Sequence, residues 1–228
     1  MRGNQTAYVV AAFAAAVVLM IAALNIVTVP HGAPVAGAPT SSEEFIHDTI
    51  ERAYTIVDDR SLDEGQRRRE LHEFLRSVAD VRRIALFTVG GSARLATEAE
   101  INQFVGVLED YLVARGRDAL VKFRDNAIKV TNSTVRARDD VIVNAEVGTG
   151  SSVYGRIRIG FRLRKNRDDN DVIVDFQAEG VSLAMMARLA FGSYLLAHEE
   201  ELPLLSEELV RRTARIEAGE TPAAILSE

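Results

Sequence analysis

Residues 156–178 read RIRIGFRLRKNRDDNDVIVDFQA, and this stretch decides the fold. Ile157, Ile159, Phe161 and Leu163 alternate with Arg156, Arg158, Gly160, Arg162 and Arg164. A period of two sends the apolar side chains to one face of a strand and the polar ones to the other. After a polar turn from Asn166 to Asp171, Val172, Val174, Phe176 and Ala178 repeat the scheme opposite Asp175, Gln177 and Glu179. Upstream, Val141, Val143, Ala145 and Val147 do the same, and Gly148-Thr149-Gly150 supplies a hairpin turn. Connections this short join antiparallel neighbours, so an antiparallel meander is expected. The arginines of one strand then face Asp175 and Glu179 of the next and form cross-strand ion pairs on the solvent side.

Before about Ala127 and after Gly180 the apolar period is helical. Ser41 with Glu44 reads as a capping box ahead of Ile46, Ile50, Ala53, Tyr54 and Val57. Ser61 with Glu64 reads as a second, ahead of Leu71, Phe74, Leu75 and Val78, with Arg67, Arg68 and Arg69 on a solvated face. A short apolar segment holding Ile84, Leu86, Phe87 and Val89 stops at Gly90-Gly91. Thr97 with Glu100 opens a helix over Ile101 to Ala114, another runs from Leu183 through His198, and a last from about Ser206 to Ile216. Helices, then antiparallel strands, then helices predict an α+β domain over 41–228, with helices packed on one face of the sheet.

Ahead of that domain, Ala7 to Leu24 is an unbroken apolar run of eighteen residues, eight of them alanine, preceded by Arg2. At 1.5 Å per residue the run covers about 27 Å, close to a bilayer's hydrocarbon core. Residues 1–29 are therefore a signal peptide or a membrane anchor, with cleavage and retention both open. No Lys or Arg occurs between Arg2 and Arg52, so the bias of basic residues toward the cytoplasm places the remainder outside it. Residues 30–40, rich in Pro, Gly and Ala, form a linker.

Composition excludes much chemistry. The 228 residues are 47% apolar and 26% charged, enough for a sizeable core, and carry no cysteine, which removes disulfides, thiolate metal sites and cysteine nucleophiles. The four histidines are scattered, and a net charge of -6 argues against a general nucleic-acid binder. Gly148-Thr149-Gly150 leads into no helix and so lacks a phosphate-binding amide cluster. Ser151 and Ser152 lack the frame of a nucleophile elbow, and Asp168, Asp169 and Asp171 precede Ile173 where a calcium loop would need glycine. No cofactor is expected. Asp175 and Glu179 remain as pocket acids for a small hydrolase or isomerase, but alternation turns both from the apolar face.

What remains is apolar surface offered by both layers, which fits a filled core or a ligand cavity equally by periodicity. Three motifs bear on this: Arg83-Ile84-Ala85-x-Phe87 ahead of Gly90; Ala96-Thr97 with Phe104, leading to Tyr111-Leu112; and Glu179-Gly180-Val181-Ser182-Leu183 followed by Arg188-x-x-Phe191. They resemble the MlaC family, periplasmic phospholipid-binding components of lipid trafficking linked to ABC transporters. The resemblance covers about Phe45 to Leu195, and the imperfect signal peptide is similar to that of the hopanoid-associated HpnM branch. The chain departs from the pattern at Ala93, where the family often has Trp, and in its acidic tail. The resemblance implies a non-enzymatic periplasmic carrier that takes phospholipid or a hopanoid-like lipid and exchanges it with an inner-membrane transport complex. It also implies a curved sheet and helices enclosing an apolar pocket. Along that pocket, alternation and helical phase select Phe87, Phe104, Leu108, Tyr111, Ile157, Ile159, Phe161, Val174, Phe176, Val181 and Leu183. The alternative is a periplasmic interaction or assembly domain with a filled core.

Overall fold

The computed structural model describes residues 40–148 and 156–220, all within a compact unit from Ala38 to Glu228. The expected anchor, the linker up to residue 39 and, of the expected Gly148-Thr149-Gly150 turn, all but Gly148 lie outside the described residues. Among the described residues no helix is long and apolar enough to cross a membrane.

The first helix, α1 (Ser41–Asp58), starts one residue earlier than its capping box predicts. The cap is Thr40, whose Oγ1 accepts from the Glu43 amide at 3.2 Å while the Glu43 carboxylate accepts from the Thr40 amide at 3.3 Å. Thr40-Glu43 and Ser41-Glu44 satisfy the same spacing, and Thr40 is the residue that holds extended backbone. In α2 (Glu64–Val78) the cap is Asp63 paired with Gln66, two residues beyond the expected Ser61. Ser61 is occupied instead by its neighbour, donating from N and Oγ to the Asp59 carboxylate. Helix α3 (Val81–Val89) ends in a 3₁₀ turn (Gly90–Arg94), and α4 (Glu98–Lys122) opens on the expected Thr97–Glu100 box. Helix α4 continues past Ala114 to Lys122, where Leu120 packs with Val57, Leu71 and Val113.

Five strands follow: β1 (Ile128–Ala137), β2 (Asp140–Gly148), β3 (Arg156–Lys165), β4 (Asp171–Ala178) and the short β5 (Val181–Ser182). They pair antiparallel in sequence order, as the meander requires. Strand β1 carries no clean alternation in sequence because its register shifts twice against β2, at Val130/Asn132 and Val135/Ala137. A further shift lies in β4. Phe161 faces Phe176 and Arg162 faces Asp175, but Leu163 faces Ile173, so Val174 is the extra residue of a bulge. The expectation that Val172 and Val174 share a face with Phe176 therefore fails at this bulge, which resets the alternation. Helix α5 (Leu183–Ala197) leads to α6 (Leu202–Glu217), which begins a turn earlier than expected with Pro203 in its first turn, where a missing amide hydrogen costs nothing.

The core has two main parts. Ile46 of α1 lies fully buried against Val143, Ala145, Val147, Ile159, Phe161 and Leu163, so α1 covers the apolar face of the sheet. A second cluster is helix on helix: Ala85 and Val89 of α3, Ile101, Phe104 and Leu108 of α4, Phe191 and Leu195 of α5, and Leu202, Leu205 and Leu209 of α6.

Candidate functional site

Two motifs far apart in sequence meet at the N-terminus and middle of α5. The Glu179-Gly180 pair forms a two-residue hairpin turn with φ of 50° and 81°, so both central residues are left-handed and the second, glycine, takes that conformation without strain. Glu179 locks the turn to β3: its carboxylate accepts from the Arg158 amide at 2.7 Å and from Nε and Nη2 of the same guanidinium at 3.2 and 3.1 Å. This is the cross-strand pair the sequence predicts. Asp175 behaves differently. It is 6% exposed, and its Oδ1 accepts from the Ala184 amide at 3.0 Å, capping α5 beside Ser182, whose Oγ accepts from Met185. The start of α5 thus covers Asp175 on the arginine face, and the predicted solvent position of Asp175 is corrected.

Arg162, across from Asp175, turns to the other neighbour and donates Nε and Nη2 to the two oxygens of Asp140 at 2.8 and 2.7 Å. These hydrogen bonds hold the Asp140 carboxyl below the usual carboxylate range, against the burial that would raise it.

Further along α5, Arg188 reaches α3. Its Nη1 donates to the Phe87 carbonyl at 2.8 Å and its guanidinium lies 5.1 Å from the Phe87 ring. A cation at the C-terminus of α3 satisfies a carbonyl that has no partner within the helix and opposes the helix dipole. Gly90 makes this possible, since a Cβ there would lie 2.9 Å from Arg188 Nη2, and its φ of 59° is one that side chains rarely adopt. One turn on, Phe191 meets Phe104 edge to face at 6.1 Å. Arg188-x-x-Phe191 thus joins the segments holding Phe87, Gly90 and Phe104.

The eleven positions selected from sequence do not fall in one cluster. Phe104 and Leu108 are buried in the helical cluster with Tyr111 packed against it, whereas Ile159 and Phe161 are buried in the sheet cluster with Ile157 and Phe176 against it. Phe161 and Phe176 touch edge to face at 5.1 Å. Val181 and Leu183 are half-buried at the entry to α5, Val174 sits at the bulge, and Phe87 is 40% exposed. Tyr111, Ile157, Val174, Phe176, Val181 and Leu183 are the six half-buried members. Phe45 and Ile50, neither among those eleven, also pack on the sheet cluster. The helical period marks Ile50 as apolar-facing but omits Phe45, and it does not say which surface the stripe covers.

A cavity of about 560 Å³ lies where α1, α2 and α4 meet, lined by Val57, Val121, Asp58, Arg60, Arg67, Arg117 and Arg124. It is a polar junction. Arg117 pairs with Glu64 at 2.6 Å and Arg124 with Asp58 at 2.7 Å. Arg67, expected on a solvated face, is instead largely buried and donates to the carbonyls of Asp59 and Leu62, closing the turn between α1 and α2. Arg68 bridges Asp110 of α4 and Glu217 of α6. His47, Asp48 and Glu51 bring three possible ligand atoms within 4.8 Å, but all three are exposed on α1.

Comparisons with known proteins agree with this architecture. The family model described as MlaC protein matches residues 47–209. No curated protein matches the chain. A solved phospholipid-binding protein from Ralstonia solanacearum, in complex with a phospholipid, is similar to it with a TM-score of 0.63 at 17% identity. The similarity covers 78% of this chain and 99% of that one, and at this identity it shows a shared fold.

Proposed function

This chain belongs to the MlaC family, and from that premise we propose that it is a non-enzymatic lipid carrier, exported to the periplasm, that sheathes the acyl chains of a phospholipid. The observation that carries the reading is the family match over 47–209. The phospholipid held by the Ralstonia solanacearum protein of the same fold supports it.

The energetics define what the site must do. Each CH₂ brought into water costs about 0.8 kcal/mol, so roughly 30 tail carbons cost on the order of 20 kcal/mol on leaving a bilayer. The carrier must replace most of that burial without exceeding it, or cargo would not be released. A lining of aliphatic and aromatic side chains with few polar anchors meets both conditions and needs no catalytic group. The half-buried residues Tyr111, Ile157, Val174, Phe176, Val181 and Leu183 have apolar surface still to cover. The buried set Phe104, Leu108, Ile159 and Phe161 backs them, and the tails lie between the sheet cluster and the helical cluster. Lipid passes to and from an inner-membrane transport complex, and residues 1–29 direct the chain to the membrane.

Expression of the full chain, purification without detergent and mass spectrometry of the organic extract test the reading. Stoichiometric phospholipid supports it, and a polycyclic lipid would assign the chain to the hopanoid-associated branch. An extract without lipid overturns the carrier and favours an assembly domain with a filled core.

A further inference from the structure

The chain holds 33 acidic residues, yet Val81–Thr97 and Gly180–Ala197 contain none, while carrying Arg82, Arg83, Arg94 and Arg188. The fold brings these two acid-free segments together, because Arg188 of α5 sits on the end of α3. Together they also expose apolar surface unusual for this molecule: Leu86 at 37%, Phe87 at 40%, Leu95 at 70%, Met185 at 48%, Leu189 at 55% and Leu196 at 75%. Met185, Leu189 and Leu196 follow one stripe of α5, and Leu86 and Phe87 lie a turn beyond Arg83 on α3. Arg82 is held by Glu98 and Asn102, but Arg83 and Arg94 have no side-chain partner among the described residues.

An apolar stripe edged by unpaired arginines, on two segments that carry no carboxylate of their own, has the composition of a helix face that lies in a bilayer interface. Leucine, methionine and phenylalanine side chains enter the acyl boundary, and the guanidinium groups stay at the phosphates. We propose that the α3–α5 face docks this domain directly on the surface of an anionic phospholipid bilayer. The charge pattern gives the surface its preference: a protein of net charge -6 gains from an anionic membrane only through a face whose local charge is positive, and this one carries arginines and no acid on its two segments. The inference goes beyond carriage of lipid, since docking depends on this outer face and not on an occupied interior.

The absence of cysteine allows a direct test. Leu189→Cys in the full chain, labelled with a polarity-sensitive bimane, places one probe on the stripe. Val135→Cys on β1, where Val135 is 70% exposed, is the control. The Leu189 probe is expected to shift to the blue on vesicles of phosphatidylglycerol and phosphatidylcholine, and not on phosphatidylcholine alone, while the Val135 probe stays unchanged. Adding Arg83→Glu or Arg94→Glu should weaken that partition by at least roughly fivefold each. No shift on either vesicle overturns the proposal and leaves the face to a protein partner. Equal shifts at both probes, or on both vesicle types, overturn it as well. Because the probe reads contact with the bilayer, a chain that docks but copurifies without lipid would refute the carrier and leave this inference standing.

Discussion

Replacing Gly90 by alanine tests the junction between the two family motifs. At φ 59° and ψ -122°, the backbone of Gly90 occupies a region that alanine enters at a cost of about 1–3 kcal/mol. The new Cβ would also lie 2.9 Å from Arg188 Nη2 and 3.0 Å from its Cζ. The end of an arginine side chain moves easily, so the overlap is relieved by losing the hydrogen bond to Phe87, which costs about 1.5 kcal/mol at this exposed site. Gly90→Ala should therefore destabilise the domain by about 3 kcal/mol, and Arg188→Ala by about 1.5 kcal/mol. Once Arg188 is gone there is nothing left for the Cβ to displace. The double variant should then fall short of the sum by about 1.5 kcal/mol, a coupling that urea unfolding followed by circular dichroism resolves. Strict additivity, or a Gly90→Ala variant as stable as the parent, refutes the junction as described.

Asp175→Ala should cost about 2 kcal/mol by leaving the Ala184 amide buried without an acceptor, and Asp175→Asn should recover most of it, both read by chemical denaturation. Because the folded Asp140 carboxyl titrates below its unfolded value, its contribution is complete above about pH 4 and lost as pH falls through the depressed value. Asp140→Asn should therefore lower stability at neutral pH and flatten the acid limb of the stability curve. Thr97→Ala should cost about 1 kcal/mol and speed amide hydrogen exchange in the first turn of α4.

Much of the fold is written in local sequence. Ile157 to Leu163 and Val141 to Val147 hold one period over a whole strand, and Thr97 is the one cap of three read in its right place. Elsewhere the sequence was ambiguous for definable reasons. Thr40 and Ser41 are adjacent candidates with the same spacing to a glutamate, and only backbone conformation separates them. The bulge at Val174 is invisible to alternation because Val172, Ile173 and Val174 are all apolar. Asp175 reads as a surface acid until α5, starting eight residues later, is seen to fold over it. The role of Arg188 depends on a contact spanning 101 residues, which no local period carries. The candidate site shares this limit. Each lining residue follows from its own element's phase, and phase does not say which of two clusters a buried face joins.

Photocrosslinking tests the central claim most directly. A phospholipid with a diazirine near the end of one acyl chain is loaded onto the purified full chain and irradiated, and the adducts are mapped by mass spectrometry. Adducts on peptides of β3, β4 and the start of α5, at Ile157, Phe176 or Leu183, are the predicted result. Label confined to exposed positions such as Leu196 and Val135, or none on the protein, would contradict it.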